Sequence, residues 1–298
     1  MTKAFHPVVL LLAALLLRPS VGAERPKSSD LVYRVPNMEK VVVHSNLVYK
    51  TAGGLPLQAD VYLPQGTLSN AALPAIIFVL GDASPAVLRN AKDWEFFHSY
   101  GRLAAASGFA GVTFNHRSSE NFTKLSDVRG DIEDLVQYVR TNAPALSVNQ
   151  DRLCLWFFSG SGPHLSVGMG TNAEFVQCLV AYYPVLAVPA HVVSGPMAAE
   201  YSSIEQIKKH ASRVPPMLVA KAGLDAPFLN RLIDSLRDQA KAFNLPLEYF
   251  EHPKGRHAFD ILDDDDTSRE ILRRTMNFIE RHLHGVSGAV TNQTELSK

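Results

Sequence analysis

Six short, largely apolar runs separated by stretches of helical length constrain this chain more than any other feature. They are Ala75–Leu80, Ala110–Phe114, Leu153–Phe158, Cys178–Tyr183, Met217–Ala220 and Leu247–Phe250. Runs without polar alternation mark strands covered on both faces, as in a parallel sheet. Helical segments are predicted between them at about residues 92–107, 127–141, 162–170, 226–243 and 268–283. The one opening at Asp127 carries Val128, Ile132, Leu135, Val136 and Val139 at helical spacing, a single apolar face to lay on a sheet. Strands alternating with helices of this length require right-handed crossovers and an α/β layered fold. Ahead of them, Val41–Tyr49 and Leu57–Leu63 flank Gly53-Gly54, a hairpin signal that predicts an antiparallel start. The segment 186–215, with Pro189, Gly195 and Pro196, breaks the rhythm and reads either as a small lid or as an ordinary crossover.

The first 23 residues read as an export signal: Lys3, ten apolar residues from Val8 to Leu17, then Val21-Gly22-Ala23 before the cleavage point. A membrane anchor is the competing reading, but that run is about half of the roughly 20 residues a spanning helix needs. Cleavage predicts an exported protein, periplasmic or secreted, with residues 24–298 as one domain and no membrane span. Lys3 and Arg18 leave with the signal, so 27 of the 29 basic residues remain against 29 acidic ones. That balance, without a basic run, gives no electrostatic sign of nucleic acid or an anionic membrane surface as a partner, and neither is expected. Cys154 and Cys178 lie within apolar runs and read as two buried thiols, a disulfide between neighbouring strands being the other reading. Asp263–Asp266 lacks the alternating ligands and turn glycine of a calcium loop and reads as a solvated approach to the last helix, with Thr267 or Ser268 as its N-cap.

Ligands of open α/β sheets bind beyond the carboxyl ends of the strands, so the polar residues just after each strand matter most. Ser159 follows Leu153–Phe158 and opens Gly160-Ser161-Gly162, where glycines permit a tight strand-to-helix turn. Asp225 follows Met217–Ala220, and His257 follows Leu247–Phe250. A serine hydroxyl becomes nucleophilic when an imidazole takes its proton, and a carboxylate holds that imidazole in the right tautomer. Ser, Asp and His in that order, each after a different strand, is the arrangement of a nucleophile elbow and its partners.

From about Val41 to His282 the chain resembles the dienelactone-hydrolase-like and esterase branch of the α/β-hydrolase superfamily. The segments that carry the likeness are DRLCLWFFSGSG (Asp151–Gly162), MLVAKAGLDAPFLN (Met217–Asn230) and HPKGRHAFD (His252–Asp260). The resemblance implies a mostly parallel eight-stranded sheet flanked by helices. It also implies hydrolysis of a small-molecule ester-like substrate through an acyl-enzyme on Ser159, with no cofactor or metal. The oxyanion would be met by the backbone N–H of Gly160 and that of Asp82, in the loop after Ala75–Leu80. The elbow departs from the family pattern at Phe157 and Ser161, where small residues are usual. A shifted register would make Ser161 the nucleophile, and the Asp82 carboxylate must point away from any oxyanion. These departures carry the alternative reading, a non-catalytic binding protein with a degenerate elbow.

Overall fold

A computed structural model describes residues 30–189 and 191–284; the predicted signal segment 1–23 and the polar tail lie outside the described residues. Eight strands form one sheet: β1 (Val42–Ala52), β2 (Leu55–Leu63), β3 (Leu73–Val79), β4 (Ala110–Phe114), β5 (Val148–Phe158), β6 (Val176–Tyr182), β7 (Met217–Ala222) and β8 (Leu247–His252). Their order is β1-β2-β4-β3-β5-β6-β7-β8. β1 runs antiparallel to β2 and β2 antiparallel to β4; every later pairing is parallel. The reversal between β4 and β3 in this order, followed by β5, is a topological switch that opens a crevice at the carboxyl edge.

The helices are α1 (Pro85–Leu88), α2 (Glu95–Ala106), α3 (Leu125–Thr141), α4 (Pro196–Glu200), α5 (Ser203–Lys209), α6 (Pro227–Ala242), α7 (Phe259–Leu262) and α8 (Asp266–His284). Strand parity divides the apolar residues between two cores. On one face Ile77, Leu155, Phe157, Leu179 and Val219 pack beneath α3, α5 and α6. On the other, Ile76, Phe78, Trp156, Val180 and Leu218 meet Phe97, Tyr100 and Leu103 of α2 and Leu272, Phe278 and Ile279 of α8. Burying one such side chain stabilises the fold by about 1.5–3 kcal/mol.

Three local expectations change. The helical stretch predicted near 92–107 is a 3-10 turn at Ala91–Asp93 followed by α2, and the one at 162–170 is a 3-10 helix, Ser159–Gly168, that contains Pro163 and three glycines. Glycine and proline there weaken the α-helical ladder, so the tighter form takes over. At the start of α8, Asp265 supplies the cap expected of Thr267 or Ser268: its Oδ1 accepts the Ser268 amide at 2.9 Å. The 186–215 segment carries α4, α5 and a 3-10 turn at Ala211–Arg213. Its Val188, Val193 and Tyr201 pack with Phe122, Val185 and Leu229 into a third, smaller cluster.

Candidate active site

Convergence of the three sequence-selected residues begins with backbone stitching between loops. Gly223 N donates to His252 O at 2.8 Å and Leu224 N to Gly255 O at 2.9 Å, which ties the turn after β7 to the turn after β8. A Cβ on Gly223 would lie 2.4 Å from Pro253 O, so only glycine lets the two loops approach this closely. The stitch places the Asp225 carboxylate against the His257 ring, Oδ2 to Nδ1, at 2.6 Å. On the opposite side of the ring Nε2 lies 2.9 Å from Ser159 Oγ. With the carboxylate accepting at Nδ1, the neutral ring carries its proton there and presents Nε2 as the acceptor for the serine hydroxyl.

Ser159 sits at φ 51°, in the left-handed region that a non-glycine residue occupies at a strain of about 1–3 kcal/mol. Neighbours hold it there. Its carbonyl accepts Val185 N at 2.8 Å, and the Ser161 hydroxyl accepts Phe158 N at 3.0 Å while facing Val79 O and Phe158 O at 3.0 and 2.9 Å. Ser161 is therefore buried and fully engaged in bracing the turn, and it is the Ser159 hydroxyl that faces His257. Phe157 does not crowd the elbow, since strand parity sends its side chain into the core beneath α3.

The turn after β3 lies directly against the elbow. A Cβ on Gly160 would come within 2.7 Å of Asp82 N, and one on Gly81 within 3.0 Å of both Phe158 O and Ser159 Cβ. The backbones of Gly160 and Asp82 thus adjoin beside Ser159. Asp82 turns its carboxylate elsewhere, accepting the Ser119 amide at 2.8 Å and the Ser119 hydroxyl. That leaves two neighbouring main-chain amides, without the acidic side chain, next to the hydroxyl: the arrangement from which an oxyanion site is made.

Two residues outside the sequence-selected set complete the surroundings of His257. Tyr183, just past β6, packs its ring on the imidazole with centroids 4.5 Å apart, and its hydroxyl donates to the buried Asp260 at 2.7 Å. Tyr183 is signalled in sequence by its place at a strand end; Asp260 is the last residue of the quoted histidine segment, with no signal of its own. Of the other histidines, His116 lies between Leu80 O and Arg117 O, and His252 faces the Asp265 carboxylate at 3.1 Å. His164 is buried with Nδ1 lacking a partner, and burial, aided by His116 and Arg129, pushes its imidazole down to about 3.

Among the described residues one group, Asp60, Asp93 and His98, has the spacing of a metal site. The Lys92 ammonium already lies among them, 3.2 Å from Asp60 and 2.5 Å from Asp93, and supplies the positive charge that an ion would bring. Cys154 and Cys178 face each other in register on β5 and β6 as buried free thiols. No helix among the described residues is long and apolar enough to cross a membrane.

Comparison with known proteins adds to this geometry. The family model BD-FAE matches residues 59–186, a span that includes Ser159 and stops short of Asp225 and His257. No protein of the curated set matches the sequence significantly. The native esterase 2 of the planctomycete Thermogutta terrifontis superposes with a TM-score of 0.63 at 17% identity, covering 86% of this chain and 98% of that one. The same esterase phosphoramylated by tabun gives 0.61 at 17% identity, covering 85% and 97%, and its propionate-bound form 0.61 at 16%, covering 85% and 96%. With this strand order and these likenesses, the chain has the α/β-hydrolase fold, shared with Thermogutta terrifontis esterase 2.

Proposed function

We propose that this chain is a serine hydrolase of small carboxylic esters, working through an acyl-enzyme on Ser159. The observation that carries the reading is the unbroken line of contacts from Ser159 Oγ through both nitrogens of His257 to Asp225. His257 takes the serine proton, Ser159 attacks the ester carbonyl, and the Gly160 and Asp82 amides meet the oxyanion. His257 then returns the proton to the leaving alcohol, and water, activated by the same imidazole, releases the acid. Nothing in this sequence of steps calls for a metal or a redox cofactor. Thermogutta terrifontis esterase 2 binds propionate and butyrate and is phosphorylated by paraoxon. Short acyl esters and organophosphorus probes are accordingly the substrates and labels of choice here. The non-catalytic reading rested on Phe157, Ser161 and Asp82, and each has a structural role that leaves the Ser159 hydroxyl in place. We further place the mature protein, residues 24–298, outside the cytoplasm, on the strength of the signal-like residues 1–23.

Incubation with a fluorophosphonate and with short p-nitrophenyl esters tests the proposal. Labelling at Ser159 and turnover that disappears in Ser159→Ala are expected; an unlabelled, inactive wild-type protein overturns it, and product analysis separates hydrolysis from acyl transfer.

A further inference from the structure

Asp225 and Ser159 hold the two nitrogens of His257, and a third group packs against its ring. Tyr183 packs there with centroids 4.5 Å apart at 53°. Its φ of 39° lies in the left-handed region, where a tyrosine stays only under restraint. Restraint comes from both ends of the residue: the Tyr183 amide donates to Ala220 O at 2.7 Å and the phenol to Asp260 Oδ1 at 2.7 Å. Tyr100, on α2, donates its own phenol to Asp260 Oδ2 at 2.6 Å. The Asp260 carboxyl is fully buried, and among the described residues no lysine or arginine pairs with it. Burial pushes this carboxyl up, opposed by the two phenol donors and by the His257 charge. A buried carboxylate needs a countercharge. The cation available to it is the His257 imidazolium, which exists while the ring holds the serine proton.

We propose that Tyr183 and Asp260 form a second electrostatic support for His257, acting on its cationic form across the ring face. The inference rests on His257 serving as the general base described above. An aromatic face is attractive to a cation, and a phenol that donates to a carboxylate is polarised in the favourable sense. Asp225 steadies the imidazolium through Nδ1 while Tyr183, backed by Asp260, steadies it through its ring, so Tyr183 and Asp260 act as positioning residues. Arg256, next to His257 in sequence, has its guanidinium on Asp263 at 2.6 Å and on Leu262 O at 2.5 Å and contacts neither Tyr183 nor Asp260 through these bonds.

The experiment compares the pH profile of kcat/KM for a short p-nitrophenyl ester in the wild type, Asp260→Asn, Tyr183→Phe and Tyr183→Leu. Removing the support moves the acid limb down by about 0.5 pH unit in Asp260→Asn and Tyr183→Leu, with kcat about threefold lower and KM unchanged. Tyr183→Phe, which keeps the ring and cuts the link to Asp260, moves it in the same direction by less. If Asp260→Asn fails to fold, the two Tyr183 variants decide. An acid limb fixed at the wild-type position overturns the proposal whatever happens to kcat, because a merely structural residue lowers the rate without moving the limb. NMR titration of the His257 ring in the same proteins separates the two readings. A shifted ring titration in a protein without esterase activity would keep the support and sink the hydrolase; activity with an unshifted titration would do the reverse.

Discussion

Asp82 binds Ser119 with its side chain and abuts Gly160 with its backbone: the carboxylate accepts the Ser119 amide at 2.8 Å, while Asp82 N would lie 2.7 Å from a Cβ on Gly160. An acidic residue beside the proposed oxyanion site is thereby turned into a fixing point for the loop that carries one of the two amides. Asp82→Ala and Ser119→Ala are expected to lower kcat roughly tenfold or more, since a displaced donor loses most of its value at the transition state. Fluorophosphonate labelling of Ser159 persists, more slowly, in both. Steady-state kinetics with a short ester makes the check, and an unchanged kcat in both variants rules out this role for Asp82.

Gly160→Ala forces a methyl group onto Asp82 N. Backbone cannot yield there as the tip of a long side chain would, so the elbow and the β3 turn must separate. Hydrolysis is expected to be lost while the two cores, which the change does not reach, keep the protein folded. Circular dichroism alongside esterase assays distinguishes this from general unfolding, which would refute it.

Ser161→Ala separates the two elbow serines. Loss of its hydroxyl leaves Phe158 N without its acceptor, a penalty of about 1–3 kcal/mol for a buried group. A lower Tm with labelling still at Ser159 is the expected result. Labelling that disappears in Ser161→Ala and persists in Ser159→Ala would reverse the assignment.

The layers of the fold were legible because strand runs and helical spacing are local patterns. The convergence of Ser159, Asp225 and His257 was legible because all three follow strands of one parallel sheet, whose carboxyl ends share an edge. What escaped reading was three-dimensional. The orientation of the Asp82 carboxylate depends on Ser119, 37 residues away, and the bracing role of Ser161 depends on Val79, 82 residues away. Tyr183 and Asp260 are 77 residues apart, and no periodicity links them. The breakdown of the 162–170 helix into a 3-10 form was readable in principle, since Pro163 and the glycines stand in the sequence.

Acid sensitivity follows from His164. Its folded imidazole is depressed to about 3, against about 6.5 in an unfolded chain. The unfolded state therefore binds the extra proton between those values, and stability is lost as pH falls through that window. The slope reaches at most about 1.4 kcal/mol per pH unit for one group. Replacing His164 by Phe, which keeps a ring against Tyr201, is expected to flatten the fall in urea midpoint between pH 6.5 and 4.5. Parallel curves for the two proteins would exclude His164 as the source.

A longer chain of contacts connects the core to the Asp82 loop through Arg117. Its guanidinium grips the buried Asp131 of α3, with Nε at 2.9 Å from Oδ2 and an amino nitrogen at 2.8 Å from Oδ1, and its amide donates to Oδ2 at 2.9 Å. Lys50 approaches Asp131 Oδ1 at 2.8 Å from β1. Burial alone would raise the Asp131 carboxyl, yet hydrogen bonds from Arg117 and Lys50 hold it below the usual carboxylate range. This stabilisation is complete above the unfolded value near 3.9 and is lost as pH falls below it. Asp131→Ala takes their buried partner from Arg117 and Lys50, leaving them Asp127 and Asp134, and should destabilise by about 1–3 kcal/mol. Arg117 is followed directly by Ser118 and Ser119, the residues against which Asp82 is set. Arg117→Ala is therefore expected to lower kcat as Asp82→Ala does, and the double variant to be little worse than either one, because both loosen the same loop. Independent, multiplying losses would mean that the ion pair secures the sheet edge alone and that the Asp82 loop stands without it.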